Sequence, residues 1–283
     1  MGALILGWFK SKSTVPAVKE CVPEWTSDDT EPLYRYFNDL TGIHFDQKEE
    51  ITTLKLTRFA KEHRCYSFGD LLSKLKSDPV LSQKLVNFLT VNETYFFREM
   101  DQIHYMVMEI QKTSAQVRIL CAPGSTGEEP YTIAIALSEA GIDMKRIAIV
   151  SVDINTEAIH YAQEALYTKR SLHRVDPMIT ERYFNEEENR YRLIETIRQK
   201  VEFKNLNLFE SGLFELGKFD YIFSRNMLIY FDPHKTALAI KRLTSMVRNS
   251  SSVLFFGHAD IITPPAVITE HYIEGVKFYT HCL

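Results

Sequence analysis

Four stretches of the sequence join polar side chains to turns that would bring them close to a ligand. The first runs from Ala122 to Pro130 and contains Gly124, Gly127 and the adjacent acids Glu128 and Glu129. Glycines let the backbone approach a ligand closely, and the helix that starts here can face an anion. The glycines do not complete the G-x-G-x-x-G pattern, and two carboxylates would repel a pyrophosphate. They suit a ligand with an ammonium group and a ribose, such as S-adenosylmethionine, although an ordinary strand–helix turn would show the same pattern.

The second and third stretches place polar side chains where apolar runs end. Asp153 follows one such run, and an acid at that place hydrogen-bonds ribose hydroxyls in nucleotide-binding α/β folds. The alternative is that Asp153 caps the helix that follows. After another apolar run, Asn226 can both donate and accept hydrogen bonds, and Tyr230 supplies a hydroxyl unless its ring only packs in the core. Asp232 is expected to cap a helix whose first turn holds Pro233.

The fourth stretch, Asn92 to Glu99, lies where the pattern of the chain changes. Its two adjacent phenylalanines among polar residues indicate a half-buried segment. Arg98 can pair with a carboxylate of a cofactor or a substrate, because a guanidinium and a carboxylate form strong paired hydrogen bonds. The alternative is an ion pair between two parts of the protein.

The elements that must position these residues follow two patterns. Between Thr26 and about Thr90, apolar residues recur at helical spacing without any strand pattern, which predicts a small all-α unit. One predicted helix ends at Gly42, and the others span residues from about Gln47 to Glu62, Phe68 to Lys76 and Val80 to about Leu89.

After Val117 the sequence alternates between strands and helices, which predicts a parallel sheet covered by helices on both faces. The predicted strands are Val117–Cys121, Ile147–Val152, Val201–Phe203, Phe219–Ser224, Ser252–Phe256 and Gly275–Cys282. The predicted helices are Glu129–Ala140, Thr156–Leu166 and Pro233–Val247. The segment between Tyr167 and Lys200 is too long for a plain connection, and its polar turn at Asn185–Asn189 predicts an inserted subdomain with a hairpin.

Composition and charge narrow the class of protein. The 283 residues carry a net charge of −4, whereas a dedicated nucleic-acid binder is normally basic. No apolar run approaches the ~20 residues of a membrane span, and the apolar start, Met1 to Phe9, lacks the flanks of a signal peptide. The four cysteines lie far apart, without the spacing of a zinc or redox pair. We therefore expect a cytoplasmic protein with reduced thiols.

Taken together, several motifs resemble those of the CheR family, in the same order and at the family's spacing. They are NETYFFRE, APGSTGEEPYTIAIAL, SVDINTEAI, FKNLNLFE and FDYIFSRNMLIYFD, and the resemblance extends from about Pro32 to Tyr279. Members of this family are S-adenosylmethionine-dependent methyltransferases that esterify glutamate side chains of bacterial chemoreceptors. The resemblance implies an α/β fold. Its parts would be a tail (1–25), an all-α N-terminal domain (26–90) and a Rossmann-like methyltransferase domain (91–283) with a small inserted antiparallel β-subdomain at about 168–200.

The resemblance also implies roles for individual residues. Arg98 and Tyr230 would lie at the methyl-transfer site, Asp153 would bind the ribose, and Asn207 would flank the adenine. The full set implied to contact S-adenosylmethionine is Asn92, Thr94, Arg98, Glu129, Asp153, Asn207, Leu208, Asn226 and Met227. No metal is implied, and a glutamate carboxylate with a pKa of ~4.3 is already ionised at neutral pH.

The expected partners are the acidic cytoplasmic methylation helices of chemoreceptors. Lys55 and Arg58 belong to a basic row on one predicted helix, which would steer such partners, although a solvated helix face has the same composition. Relatives that dock on a receptor's C-terminal pentapeptide tether carry a glycine-rich loop after Tyr183–Phe184, which is missing here, so we expect no use of the tether. A non-catalytic S-adenosylmethionine-binding adaptor and a methyltransferase for another protein carboxylate are the alternative functions.

Overall fold

The structure is a computed structural model that describes residues 24–26, 28–45, 49–261 and 263–282. Most of the predicted tail, including the apolar segment from Met1 to Phe9, lies outside the described residues. Among the residues that are described, no helix has both the length and the apolar character needed to cross a membrane.

The first part of the chain forms four helices, as predicted. They are α1 (Glu31–Thr41), α2 (Glu49–Glu62), α3 (Phe68–Ser77) and α4 (Pro79–Leu89). Local chemistry sets their ends: Gly42 ends α1 at a φ of 78°, and the Asp78 side chain caps α4 by accepting hydrogen bonds from Val80 N and Leu81 N. Their apolar faces enclose one core, formed by residues that include Leu33, Phe37, Leu56, Phe59, Leu71, Leu75 and Leu85.

The rest of the chain is built on two sheets. The strands are β1 (Val117–Cys121), β2 (Ile147–Asp153), β3 (Leu166–Thr168), β4 (Phe184–Glu187), β5 (Arg190–Leu193), β6 (Val201–Asn205), β7 (Tyr221–Ser224), β8 (Val253–Phe256), β9 (Ile268–Ile273) and β10 (Val276–His281). The larger sheet has seven strands in the order β6-β2-β1-β7-β8-β10-β9. Its first five strands are parallel, and β10 runs antiparallel to both β8 and β9. The predicted parallel sheet is confirmed, with an antiparallel pair added at one edge.

Helices cover both faces of the larger sheet. They are α5 (Met100–Gln111), α6 (Glu128–Glu139), α7 (Thr156–Glu164), α8 (Pro177–Tyr183), α9 (Glu195–Arg198) and α10 (Pro233–Thr244). The core on one face joins α5, α6 and the inserted segment, and the core on the other face is closed by α10. The sequence prediction lacked α5 and β9, as well as β3, α8 and α9 in and beside the insert. In α5, Ile103, Met106, Val107 and Ile110 recur at helical spacing and are buried.

The inserted segment forms a small antiparallel sheet in the order β3-β5-β4. A two-residue turn joins β4 to β5, and its residues Glu188 and Asn189 both have positive φ, 48° and 67°. Positive φ at both central residues is the type I′ geometry that matches the twist of a hairpin. The predicted hairpin is therefore present, and Phe184 and Leu193 anchor it in the core of the larger sheet.

The strand order places a ligand site at one edge of the larger sheet. The chain adds β2 and β6 on one side of β1, and β7 and β8 on the other. In open parallel sheets, ligands bind outside the carboxyl ends of the strands where the order changes direction in this way. The carboxyl ends of β1, β2, β6 and β7 meet there, and residues of α1, α2 and α4 lie over them.

Candidate active site

A cavity of about 750 Å³ lies at these strand ends, between the sheet and the N-terminal helices. Its wall comes from both parts of the chain. Eight of the residues predicted for the site line it: Lys55, Asn92, Asp153, Asn207, Leu208, Asn226, Met227 and Tyr230. Thr94, Arg98, Glu129 and Arg58 are not part of its wall. The site residues predicted from the sequence thus form one group that lines the cavity and one group that does not.

Asp153 supplies a buried carboxylate at the end of β2. Only 6% of the residue is exposed, and its two oxygens accept hydrogen bonds from Ser125 N and Asn155 N, each at 2.8 Å. Burial raises the pKa of Asp153 to about 6, although backbone N–H groups favour the charged form. The alternative that Asp153 caps the next helix is wrong, because the Asn155 side chain caps α7 by accepting from Ala158 N.

The glycine loop after β1 packs tightly against β2. A Cβ atom added at Gly124 would lie 1.7 Å from Ser151 Oγ, so a larger residue fits only if the Ser151 side chain moves. Gly127, at the start of α6, has a φ of 95°, a backbone angle that residues other than glycine rarely adopt. The loop therefore brings its backbone directly to the cavity, and Ser125 Oγ is buried there without a hydrogen-bond partner in the described structure.

Arg225, which the sequence analysis did not single out, forms a buried ionic cluster behind the cavity. It is 6% exposed, and its Nε lies 2.5 Å from Glu129 Oε2. Its Nη1 donates to the carbonyl oxygens of Arg98 and Glu99, at 3.1 and 3.0 Å. Burial opposes the charge of Arg225, but the carboxylates of Glu129 and Glu99 leave the pKa of its guanidinium above the ordinary value. Glu129 Oε1, in contrast, is buried with no partner among the described residues.

The segment Asn92–Glu99 passes from the cavity to this cluster. Asn92 lines the cavity, whereas Arg98 turns its guanidinium to the carbonyl oxygen of Glu93, at 3.2 Å, and to Glu99 Oε1, at 3.8 Å. The same guanidinium lies 5.6 Å from the centre of the Tyr95 ring. The alternative role for Arg98, an ion pair between two parts of the protein, is wrong in detail because its carboxylate partner is the next residue in the chain.

A second carboxylate that the sequence analysis missed, Asp260, shapes the loop after β7. Its Oδ2 accepts from Asn226 N at 2.5 Å and from Gly257 N at 2.7 Å, and its Oδ1 accepts from Ile229 N at 3.3 Å. These bonds hold Asn226 at a φ of 58°, with its side chain at the cavity. Burial raises the pKa of Asp260, and the three backbone donors act in the opposite direction.

Tyr230 joins the loop after β7 to the N-terminal helices. Its carbonyl oxygen accepts from His44 N at 2.8 Å, and the neighbouring Phe231 pairs with Ile43 in an isolated antiparallel bridge. The Tyr230 side chain is half-buried in the cavity wall. Burial and the nearby Glu93 raise the pKa of Tyr230, while Arg98 acts against them, so its hydroxyl is protonated at neutral pH. Asp232 caps α10 as predicted, accepting from Lys235 N.

The side chains of Asn207 and Arg58 are already paired within the protein. The Asn207 amide donates to the carbonyl oxygen of Leu40 at 2.7 Å and accepts from Phe209 N at 2.9 Å, so its side chain already fixes the loop after β6. On α2, Lys55 lines the cavity, but Arg58 Nε pairs with Glu62 Oε1 at 2.8 Å on an exposed helix face. The predicted basic row is therefore not a continuous free surface.

Comparison with known proteins identifies the family. The model of the CheR methyltransferase, SAM-binding domain, matches residues 92–273, where SAM denotes S-adenosylmethionine. The chain belongs to the CheR methyltransferase family. The matched range includes the part of the cavity wall that runs from Asn92 to Pro233.

Proteins similar to this CheR chain come from several bacteria. A chemotaxis protein methyltransferase of Campylobacter jejuni is 35% identical over 229 residues, covering 81% of this chain and 86% of that protein. Chemotaxis protein methyltransferase 2 of Pseudomonas aeruginosa is 32% identical over 247 residues, covering 83% and 87%. A chemotaxis protein methyltransferase of Escherichia coli is 31% identical over 222 residues, covering 76% and 77%. The similarity thus extends well beyond the SAM-binding domain.

Proposed function

We propose that the protein transfers a methyl group from S-adenosylmethionine to glutamate side-chain carboxylates of bacterial chemoreceptors, producing glutamate 5-O-methyl esters. The observation that carries this proposal is a single cavity that holds both the buried carboxylate of Asp153 and the side chain of Tyr230, in a chain of the CheR methyltransferase family. The names of its relatives, chemotaxis protein methyltransferases, support the assignment to chemotaxis.

The polar atoms around the cavity fit the groups of S-adenosylmethionine. The Asp153 oxygens accept hydrogen bonds from Ser125 N and Asn155 N and have lone pairs left for ribose hydroxyls. Ser125 Oγ lines the cavity and is buried without a partner in the described structure, so a ligand hydroxyl or ammonium would satisfy it. Glu129 Oε1, behind the wall, is likewise buried without a hydrogen-bond partner there. We propose the contact set Asn92, Thr94, Arg98, Glu129, Asp153, Asn207, Leu208, Asn226 and Met227.

Within that set, Asn207 and Leu208 would contribute to the adenine site in different ways. The Asn207 amide is already bonded at both ends, so we assign its role to holding the loop against the adenine rather than to a direct side-chain bond. Leu208 and Met227 supply apolar surface to the same cavity. An adenine ring would therefore lie between apolar side chains and a fixed stretch of backbone.

The reaction asks the protein mainly for alignment. S-adenosylmethionine, when bound, supplies a methyl group on a positively charged sulfur. The substrate glutamate, with an ordinary pKa of ~4.3, is ionised at neutral pH and needs no general base. Tyr230, which stays protonated, donates a hydrogen bond to one carboxylate oxygen and leaves the other free to react, and Arg98 attracts the carboxylate to that edge. Aligning the carboxylate with the bond between the methyl group and sulfur raises the rate more than strengthening the contacts of the bound carboxylate before reaction.

We propose that the substrate approaches from the side of the N-terminal helices. Lys55 lines the cavity and would meet an acidic methylation helix, whereas Arg58 would contribute little because Glu62 already pairs with it. This assigns one substrate contact to residues 26–90 and the chemistry to residues 91–283, in the cytoplasm, where the methylation helices of receptors lie. Neither a metal nor a nucleic acid has a part in this scheme.

Two measurements test the proposed function. Calorimetric titration with S-adenosylmethionine and S-adenosylhomocysteine measures cofactor binding, and transfer of labelled methyl groups to receptor-containing membranes measures the reaction. We expect binding and a base-labile label on the receptor. Binding without transfer would favour an adaptor or another protein carboxylate, and absence of binding would contradict the site assignment altogether.

The insert allows a separate test of docking. Its hairpin turn is Glu188–Asn189, with no glycine, so we propose that this protein does not use a receptor's C-terminal pentapeptide tether. Titration of the protein with such a peptide checks this. Binding at micromolar concentration would contradict it, and the outcome leaves the proposed methyl transfer unaffected.

A further inference from the structure

The loop between β3 and α8 carries a group of exposed basic side chains. Lys169, Arg170 and Arg174, which we name the basic edge, are all exposed. Lys169 and Arg174 have no ion-pair partner among the residues that the structure describes, and Arg170 makes a loose pair with Glu93, at 3.6 Å between largely exposed side chains. The nearby Asp176 is used to cap α8. The surface therefore keeps a positive charge on a protein whose net charge is negative.

The basic edge is fixed to the segment Asn92–Glu99 rather than free to move away from it. The backbone N–H of Phe96 donates to the carbonyl oxygen of Ser171 at 2.9 Å, and the rings of Tyr95 and His173 lie 4.6 Å apart. Below them, Ser171 Oγ donates to the buried Glu128 at 3.1 Å. The position of the basic edge relative to the cavity is therefore set by hydrogen bonds and ring packing.

This position is beside the proposed methyl-transfer site. Asn92 lines the cavity, and the next residue, Glu93, is the partner of Arg170. Glu93 also acts electrostatically on Tyr230 in the cavity wall, and Arg98 lies over the Tyr95 ring. A substrate segment whose glutamate reaches Tyr230 would have its flanking residues next to the basic edge.

The helix expected to attract an acidic partner is a weaker candidate. On α2, three acids balance three bases, and the pair Arg58–Glu62 uses one of each. Lys61 turns towards the ring of Trp25, 5.5 Å from its centre. Only Lys55 faces the cavity. Of the three bases on α2, Lys55 alone is left to act beside the site, whereas the basic edge groups three exposed bases on the inserted segment.

We propose that the basic edge binds an acidic stretch of the protein substrate, next to the glutamate that is methylated. This inference rests on the proposed function, because it assumes that the substrate is a polypeptide that presents a carboxylate at Tyr230. Charged groups at the rim of an interface mainly raise the association rate and make binding sensitive to salt. The basic edge would thus select acidic surroundings of a glutamate, while the cavity recognises the carboxylate itself.

Charge reversal tests the proposal with a matched control. The variant K169E/R174E leaves the Arg170–Glu93 pair in place, and K84E/K145E makes the same change of charge at two exposed lysines that do not line the cavity. We expect K169E/R174E to raise the KM for receptor-containing membranes about tenfold, with little change in kcat and a weaker dependence on salt. The control should behave as the wild type. Both variants should bind S-adenosylmethionine normally.

A binding assay keeps the test independent of turnover. Fluorescence anisotropy with a labelled helical peptide that carries glutamates along one face should show salt-sensitive binding to the wild type and the control. Binding to K169E/R174E should be about tenfold weaker. Equal affinity for all three proteins would overturn the proposal even if methyl transfer is confirmed, whereas failure of methyl transfer alone would count against the proposed function.

Vesicles of phosphatidylglycerol and phosphatidylcholine, free of receptor, distinguish a second source of negative charge. We expect all three proteins to bind these vesicles equally weakly. If K169E/R174E loses vesicle binding but keeps peptide binding, the basic edge is a membrane contact and the proposal is wrong.

Discussion

The two sides of the cavity are built differently. On the strand-end side, Asp153 and Arg225 are buried and Glu129 is largely buried, and hydrogen bonds at 2.5 to 3.1 Å tie them to the backbone or to each other. On the outer side, Lys55, Ile229 and the basic edge are partly or largely exposed and make few internal contacts. One side is fixed before any ligand arrives, and the other is an open rim.

The difference indicates which part of the reaction each side serves. A small ligand of constant structure is recognised best by buried, preorganised polar groups, which lose little freedom on binding. A protein substrate is recognised by a rim whose charges act at longer range and are screened by salt. Changes on the strand-end side should therefore alter stability and cofactor affinity, and changes at the rim should alter turnover or the KM for the protein substrate.

The largest effect is expected from Arg225→Met. It removes the buried cation that pairs with Glu129, and loss of one partner of a buried pair costs about 3–5 kcal/mol of unfolding free energy, although Glu99 keeps its contact with Arg98. Urea unfolding measures this loss. S-adenosylmethionine affinity should fall as well, because Glu129 loses the group that orients it.

Two further variants show whether charge is the cause. Arg225→Lys keeps a cation and should lose less stability, and adding Glu129→Gln to Arg225→Met should recover part of the loss. If Arg225→Met unfolds at the same urea concentration as the wild type, the strand-end side is not held together by this cluster.

Gly124→Ala should have the next largest effect. The added methyl group would meet Ser151 Oγ at 1.7 Å, and overpacking of this kind costs about 1–3 kcal/mol. The expected result is a lower unfolding free energy together with weaker binding of S-adenosylmethionine by calorimetry. Ser151→Gly removes the colliding group, so the double variant Gly124→Ala/Ser151→Gly should recover much of both losses. No recovery would mean that the loop needs glycine for a reason other than space.

Sequence patterns located one layer of this site and missed the next. Asp153 and Asn226 could be predicted because each follows an apolar run, and parallel strands bring such ends together. Arg225 and Asp260 could not, because a charged residue in a loop gives no sign that it will be buried. Their partners, Glu129 and Asn226, are brought to them only by the complete fold.

The same limit applies to α2. The spacing of Lys55 and Arg58 predicted one basic surface, but the Glu62 side chain, one turn after Arg58, removes half of it. Helix α5, in contrast, carries a clear apolar periodicity, so the sequence does hold a signal for it. Pairing between side chains and the choice among overlapping patterns are settled by packing, which the sequence alone does not display.

A pH titration tests the strand-end side without replacing a residue, by changing the charge of Asp153. Burial holds the pKa of Asp153 at about 6, above the ~3.9 of an exposed aspartate, so the free folded protein binds this proton more tightly than the unfolded chain does. Through this group, stability falls as pH rises between about 4 and 6. Ribose hydroxyls donate to the ionised carboxylate, so S-adenosylmethionine affinity should change in the opposite direction and weaken about tenfold from pH 7 to pH 5. Asp153→Asn should bind weakly without this pH dependence, and an identical pH profile in the variant would assign the titration elsewhere.

Tyr230→Phe should have the smallest effect, and that effect should appear in methyl transfer rather than in cofactor binding. The variant keeps the ring and the backbone contact with His44 but removes the hydroxyl, whose hydrogen bond to a carboxylate is worth about 1–2 kcal/mol. We expect kcat for receptor methylation to fall several-fold while calorimetry shows unchanged affinity for S-adenosylmethionine. A variant that loses cofactor affinity instead would place Tyr230 with the buried cofactor groups, and the division between a fixed cofactor side and an open substrate rim would then have to be drawn elsewhere.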